Sequence, residues 1–209
     1  MVQPIALISA DKEIAELSRN VQDAALIGFF DPREDAVCFG LMHLGPDSNW
    51  SAIRNRFPGL RVVLALDLPA RKIKAIATYG NDALYTLIAA EAHISATACI
   101  GRGCIVQRGV AIMADARIGQ ACKINLNATV HHDSVIGDYC TLAPGVQILG
   151  GVQIGNNVFI GAGAIVMPHI HIGDGVVIGA GSVVSRDVLA GQVVAGIPAR
   201  SLKGKNGND

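Results

Sequence analysis

From Ile94 onward an aliphatic residue occupies every sixth position without a miss: Ile94, Ile100, Val106, Ile112, Ile118, Ile124, Val130, Ile136, Leu142, Ile148, Ile154, Ile160, Val166, Ile172, Ile178 and Val184. The residue four places further on is small or β-branched in nearly every repeat, as at Cys104, Ala116, Ala128, Ser134, Val146 and Ala164, and glycine often follows the aliphatic. A strict six-residue period with these fillers predicts a parallel β-helix in which three hexapeptides close one triangular coil. Cys104, Cys122 and Cys140 are one coil apart and are expected to stack in one column as small apolar fillers.

The first 88 residues follow a different pattern. Ile5 to Ile8 is a short apolar run suited to a buried strand, and Ser9 stands where a helix cap would precede Ile14, Leu17 and Val21 on one face. Further strand patterns lie at 25–30 and 61–67. Helical patterns lie at 49–57 and, after Pro69 in a helix-opening position, at 70–79. Strands alternating with helices predict a small parallel sheet with crossover helices. Ligands of such sheets sit beyond the carboxyl ends of the strands, which here means the loops at Ser9, Ala10, Asp31 and Asp67. The segment 84–88 is expected to complete that sheet. The chain then divides into an α/β domain over 1–88, a β-helix over 89–190 and a terminal cap over 191–209, where Val193 to Arg200 leaves the six-residue register and the polar residues 203–209 are expected to fray.

Composition narrows the function classes. Half the residues are hydrophobic (51%), the formal charge is zero and aromatics make up 4%, so neither a phosphate-tracking groove nor a base-stacking platform is supported and nucleic acid is not an expected partner. No leader pattern and no long apolar run is present, which reads as a cytoplasmic protein without a membrane partner. The cysteines lack metal-ligand spacing and no metal is expected.

Because a β-helix hides its aliphatic residues, polar departures from the repeat carry the chemistry. Asn125, Asn127, His131, His132 and Asp133 fall within two hexapeptides. Gly150 follows His132 by one coil, which places backbone without a side chain beside the imidazole, where an N–H could donate to an oxyanion. Asp133 could orient the ring, and imidazole is the natural base at neutral pH. A solvated turn histidine explains the same spacing.

The stretch Asn125-Leu-Asn-Ala-Thr-Val-His-His-Asp-Ser-Val-Ile-Gly-Asp138, followed by Ala143-Pro-Gly145, Gly150-Gly-Val-Gln-Ile-Gly155, Ile160-Gly-Ala-Gly163, Ile178-Gly-Ala-Gly-Ser-Val-Val184 and Gly196-Ile-Pro-Ala-Arg200, resembles the hexapeptide-repeat sugar acyltransferases. Within them it is similar to the branch containing sialic acid O-acetyltransferase, UDP-4-amino-sugar (bacillosamine pathway) N-acetyltransferase and GDP-perosamine N-acetyltransferase. The resemblance implies a Rossmann-like domain joined to a left-handed β-helix, in a homotrimer with active sites between neighbouring β-helices. It implies acetyl-CoA as co-substrate, His132 as general base, Asp133 as its supporting acid, Asn125 near the acceptor sugar and Gly150 as donor to the thioester oxygen. Thr141, Gly161, Ala162, Gly179 and Ala180 would line the pantetheine channel, although small residues also suit coil corners.

The implied reaction is N-acetylation of a nucleotide-linked 4-amino-4,6-dideoxy sugar in bacterial surface glycan biosynthesis. Sugar O-acetylation of a sialic-acid-like acceptor and a non-catalytic trimeric scaffold are the alternatives. A zinc-dependent carbonic anhydrase on the same fold would need a different histidine spacing. The chain departs from the resemblance at its first turn, where Ile8-Ser-Ala-Asp-Lys-Glu13 replaces a glycine-rich loop that would admit a phosphate. Asp11 and Glu13 are ill suited to that neighbour.

Overall fold

A computed structural model of the protein describes residues 2–202, so the expected fraying at 203–209 lies outside the described residues. The first domain is built on a parallel sheet of β1 (Gln3–Ile8), β2 (Ala24–Phe30), β3 (Met42–His43) and β4 (Arg61–Val63), in the order β3-β2-β1-β4. Ile5, Ala6, Leu7 and Ile8 are all buried, as a strand covered on both faces requires. Helix α1 (Lys12–Arg19) joins β1 to β2, α2 (Trp50–Arg56) joins β3 to β4, and α3 (Pro69–Tyr79) follows β4 with Pro69 in its first turn.

Three sequence expectations need correction here. The cap of α1 is Asp11, whose carboxylate accepts from the Ile14 amide at 3.0 Å, and not Ser9, which lies in the left-handed region at φ 84°. The strand expected over 61–67 pairs only to Val63, because the amides of Ala65 and Leu66 turn back to the carbonyls of Val63 and Leu64. The segment 84–88 is divided: Leu84 bridges Val62 of the sheet, whereas β5 (Leu87–Ile88) pairs with Ile105–Val106 and is the first strand of the β-helix. Ile88 stands six residues before Ile94, so the period begins one repeat earlier than the unbroken run suggested.

The second domain is a left-handed parallel β-helix. Sixteen two-residue strands, β6 to β21, run from His93–Ile94 to Val183–Val184, one per hexapeptide. Each from β6 to β18 pairs in parallel with the strand eighteen residues on, which makes three faces. The first face contains Lys123–Ile124, Thr141–Leu142 and Phe159–Ile160; the second contains Thr129–Val130 and Gln147–Ile148; the third contains Val135–Ile136 and Gln153–Ile154. The aliphatic of each repeat and the filler four residues later interlock in a dry core from Cys104 to Val194. The three cysteines form the expected column, each thiol donating to a glycine carbonyl (Gly119, Gly137, Gly155) at 3.0–3.1 Å.

Fourteen successive corners, at six-residue steps from Gly103 to Gly181, are each turned by one residue at positive φ. Seven of the fourteen are not glycine: Asp115, Asn127, Asp133 and Asn157 accord with the tolerance of Asn and Asp for left-handed backbone, and Ala121, Tyr139 and His169 are held there by the stack. The last coil is two residues short. β22 (Val193–Gly196) therefore rejoins the first face, with Val193 beside Val177, and β23 (Ala199–Ser201) folds back antiparallel upon it. The segment expected to leave the register thus still extends the sheet while closing its end.

The α/β domain docks on the first face. Lys72 of α3 is fully buried there and donates to the carbonyls of Tyr139 (3.3 Å) and Cys140 (2.8 Å) and to Thr141 Oγ1 (2.7 Å). Burial lowers its ammonium pKa to about 8. Thr141 Oγ1 in turn donates to the Asp67 carbonyl at 2.7 Å, fixing the loop after β4 to the β-helix.

Candidate active site

Residues two places after each aliphatic occupy the coil corners, and the three corners treat this position differently. At the corner between the third and first faces, the amides of Gln120, Asp138 and Asn156 donate to side-chain oxygens of Asp138, Asn156 and Asp174, one coil further on, at 2.7–2.9 Å. The glycines preceding them are required by this stacking, since a Cβ at Gly119 or Gly137 would lie within 2.8 Å of backbone. This corner is a closed ladder.

The corner between the second and third faces has the same backbone and different contents. His132, Gly150 and Pro168 hold the equivalent position in successive coils. The His132 ring lies over Gly150, where a Cβ would meet its Cε1 and Nε2 at 2.9 Å. Nδ1 of His132 is 2.7 Å from Asp133 Oδ2, which orients the ring and leaves Nε2 without a partner among the described residues. Both side chains are mostly exposed, 62% and 66%. The Gly150 amide donates to no described residue, because the next coil presents Pro168 where the closed corner presents a carboxylate or amide oxygen. Asp133 has a double role, turning the corner at φ 59° and holding the ring.

Asn125 lies at the remaining corner, between the first and second faces. It is buried, with Nδ2 donating to the Leu142 carbonyl at 2.7 Å and Oδ1 accepting from Gln107 Nε2 at 3.3 Å. Gly161, Ala162, Gly179 and Ala180 line the same corner further along the axis; there a Cβ at Gly161 would approach the Ala180 amide nitrogen at 2.5 Å, so stacking alone requires that glycine. Thr141 sits apart from them, in the domain junction. The structure therefore brings His132, Asp133 and Gly150 together and places Asn125 and the small residues at another corner, separated by the strand Thr129–Val130 that spans the second face.

A cavity of about 880 Å³ opens between the carboxyl ends of the parallel strands and the first face. Ser9, Ala10 and Asp67 line it from one side, and Asn125, Thr141 and Lys123 from the other. Asp31 belongs to an adjoining cleft of about 200 Å³ and is turned inward. Its buried carboxylate takes two bonds from the Arg33 guanidinium at 2.9 Å, one from the Arg33 amide and one from the Ala10 amide, and these, led by the guanidinium, hold its pKa down to about 2 against the opposing effect of burial. Lys123 and Lys72 escaped the sequence reading, for no local pattern marks a lysine that is buried only by a distant domain.

The other histidines stand outside this arrangement. His169 turns a corner above Gly151, His171 pairs loosely with Asp187 at 3.8 Å, and His43 stacks on Phe29 and contacts the Asp31 carbonyl. Among the described residues no group of three or more His, Cys, Asp or Glu is placed to hold a metal ion.

Known proteins give this geometry its context. The model of the bacterial transferase hexapeptide family (six repeats) matches residues 115–150 and 151–186. No curated protein sequence matches the chain. Among solved structures, PerB from Caulobacter crescentus in complex with CoA and GDP-perosamine is 30% identical, with 97% of this chain and 98% of that chain covered and a TM-score of 0.89. The acetyltransferase domain of PglB from Neisseria gonorrhoeae in complex with acetyl coenzyme A is 26% identical, covering 97% and 100% at a TM-score of 0.90. WeeI from Acinetobacter baumannii is 25% identical, covering 96% and 100% at 0.86. The repeat, the two-domain architecture and these likenesses along nearly the whole chain agree: the protein belongs to the hexapeptide-repeat acetyltransferases, in the branch that contains PglB and PerB.

Proposed function

We propose that the protein transfers acetyl from acetyl-CoA to the amine of a nucleotide-linked 4-amino-4,6-dideoxy sugar, in the cytoplasm, in the biosynthesis of a bacterial surface glycan. The observation that carries this reading is the open corner: an imidazole anchored through Nδ1 by Asp133, over a glycine whose amide has no acceptor among the described residues. Relatives with CoA, acetyl-CoA and GDP-perosamine bound support the donor and the acceptor class. No helix among the described residues is long and apolar enough to cross a membrane.

In this mechanism His132 Nε2 takes the proton from the acceptor amine as nitrogen attacks the thioester carbonyl. The negative charge that develops on the carbonyl oxygen is met by the Gly150 amide, at the position where the closed corner holds a carboxylate oxygen. Collapse of the tetrahedral intermediate expels CoA thiolate. Asp133 stabilises the imidazolium while it holds the proton.

Asn125 and the cavity lie one face away from His132 on the same chain, so the acceptor is served by the base of a neighbouring chain in a homotrimer. The second face between the two corners is the natural contact surface, because its outward residues include Ala111, Ile165 and Val183. Gly161, Ala162, Gly179 and Ala180 would flank the pantetheine arm, and Thr141 would face the acceptor instead. Incubation with acetyl-CoA and a panel of UDP-, GDP- and dTDP-linked amino sugars, read by mass spectrometry, tests the reading. One sugar should gain the mass of an acetyl group less one hydrogen, and no gain on any would refute it.

A further inference from the structure

We infer that Lys123 is a specificity-determining residue that binds a phosphate of the acceptor from the β-helix side of the junction cavity, an inference that rests on the nucleotide-sugar reading. Lys123 points outward from the first face, in a column otherwise made of Leu87, Ile105, Thr141, Phe159 and Val177. Its side chain is only 6% exposed, yet it lines the cavity of about 880 Å³. Burying an ammonium is costly unless it is paired, and an aliphatic residue would pack the docking face without that cost. Here the pairs come from the two loops that frame the strand ends: Nζ is 3.0 Å from Asp67 Oδ1 and 3.4 Å from Asp11 Oδ2.

The β1–α1 turn explains why a cation from another domain is needed. It has no glycine to bring backbone amides to a phosphate, and the Asp11 carboxylate already occupies the Ile14 amide. The remaining cations of the cavity, Lys12 and Arg71, are exposed, whereas Lys123 is nearly buried and anchored on a stacked coil. Asp11 and Asp67 hold the ammonium extended at the cavity wall, and an entering diphosphate competes with them for it. The Asp67 loop stays in place during this exchange because Thr141 Oγ1 retains its carbonyl.

Competition gives the two partners opposite signs, which a purely structural ion cluster would not. Asn caps a helix as well as Asp does, so Asp11→Asn removes the charge while keeping the cap. Titration of the full-length protein with UDP, GDP and dTDP by calorimetry should show Lys123→Met weakening the best of them about tenfold or more, Lys123→Arg restoring most of the affinity, and Asp11→Asn binding several-fold tighter than wild type. Affinity for CoA should be the same in all four proteins. In turnover assays Lys123→Met should raise KM for the nucleotide sugar with kcat nearly unchanged.

Wild-type nucleotide affinity in Lys123→Met, or weakened affinity in Asp11→Asn, overturns the inference, as does a wild-type protein that binds none of the three nucleotides. Should Lys123→Met fail to fold, the Asp11→Asn arm decides alone. The reading on which this rests fails separately: if a nucleotide sugar is acetylated with unchanged KM in Lys123→Met, only the role of Lys123 is lost, whereas absence of acetylation on every nucleotide sugar removes the reading itself.

Discussion

Two corners of one β-helix have the same backbone and opposite chemistry. At the closed corner, the amides of Gln120, Asp138 and Asn156 each find an oxygen one coil on, and the polar atoms serve the stack. At the open corner the same position holds His132, Gly150 and Pro168, the ring covers a glycine, and the Gly150 amide faces a proline that offers no side-chain acceptor. A repeat protein can thus make a site by omission. The scaffold already aims amides at a fixed point, and leaving that point free of a side-chain oxygen lets a developing oxyanion take it.

Four substitutions break or sharpen this contrast. His132→Ala removes the base and should lower kcat by about 10²- to 10⁴-fold, with acetyl-CoA affinity retained, in steady-state assays paired with calorimetry. Pro168→Asp rebuilds the closed ladder at the open corner; its carboxylate should capture the Gly150 amide and lower kcat roughly 100-fold without lowering the melting temperature. Gly150→Ala pushes a Cβ to 2.9 Å from the ring, and since the imidazole can swing aside, a loss of about tenfold in kcat with a shifted pH–rate profile is expected. Asp138→Ala is the converse control: it orphans the Gln120 amide and should cost about 1–2 kcal/mol in chemical denaturation while leaving kcat as in the wild type.

The β-helix was legible in the sequence because its period is a property of single positions: every sixth residue must enter a core that admits one aliphatic side chain. The open corner was legible for the same reason, since eighteen-residue arithmetic sets Gly150 beside His132. The meaning of Pro168 was not, because its effect is the absence of an acceptor, visible only beside Asp138, Asn156 and Asp174. In the α/β domain the apolar run of β1 and the proline of α3 gave their elements, whereas the cap expected at Ser9 falls to Asp11. A short polar segment offers several possible caps, and Asp11, which takes the role with one carboxylate oxygen, also meets Lys123 with the other, more than a hundred residues away. Lys123 itself carries no sequence signal. Arg117 takes the same place in its hexapeptide and is exposed, so only the docked domain distinguishes the two.

The central claim is that the base at the open corner of one chain serves an acceptor held at the Asn125 corner of another. Mixing subunits tests it most directly. His132→Ala and Asn125→Ala proteins, each nearly inactive alone, are unfolded together, refolded as mixed trimers and assayed for acetyl transfer. A site shared between chains regains a wild-type pair of corners in about one quarter of interfaces under random assembly, so activity should return to roughly a quarter of the wild-type value. Mixed trimers that stay as inactive as either parent would contradict the account, since that result requires both residues to act within one chain.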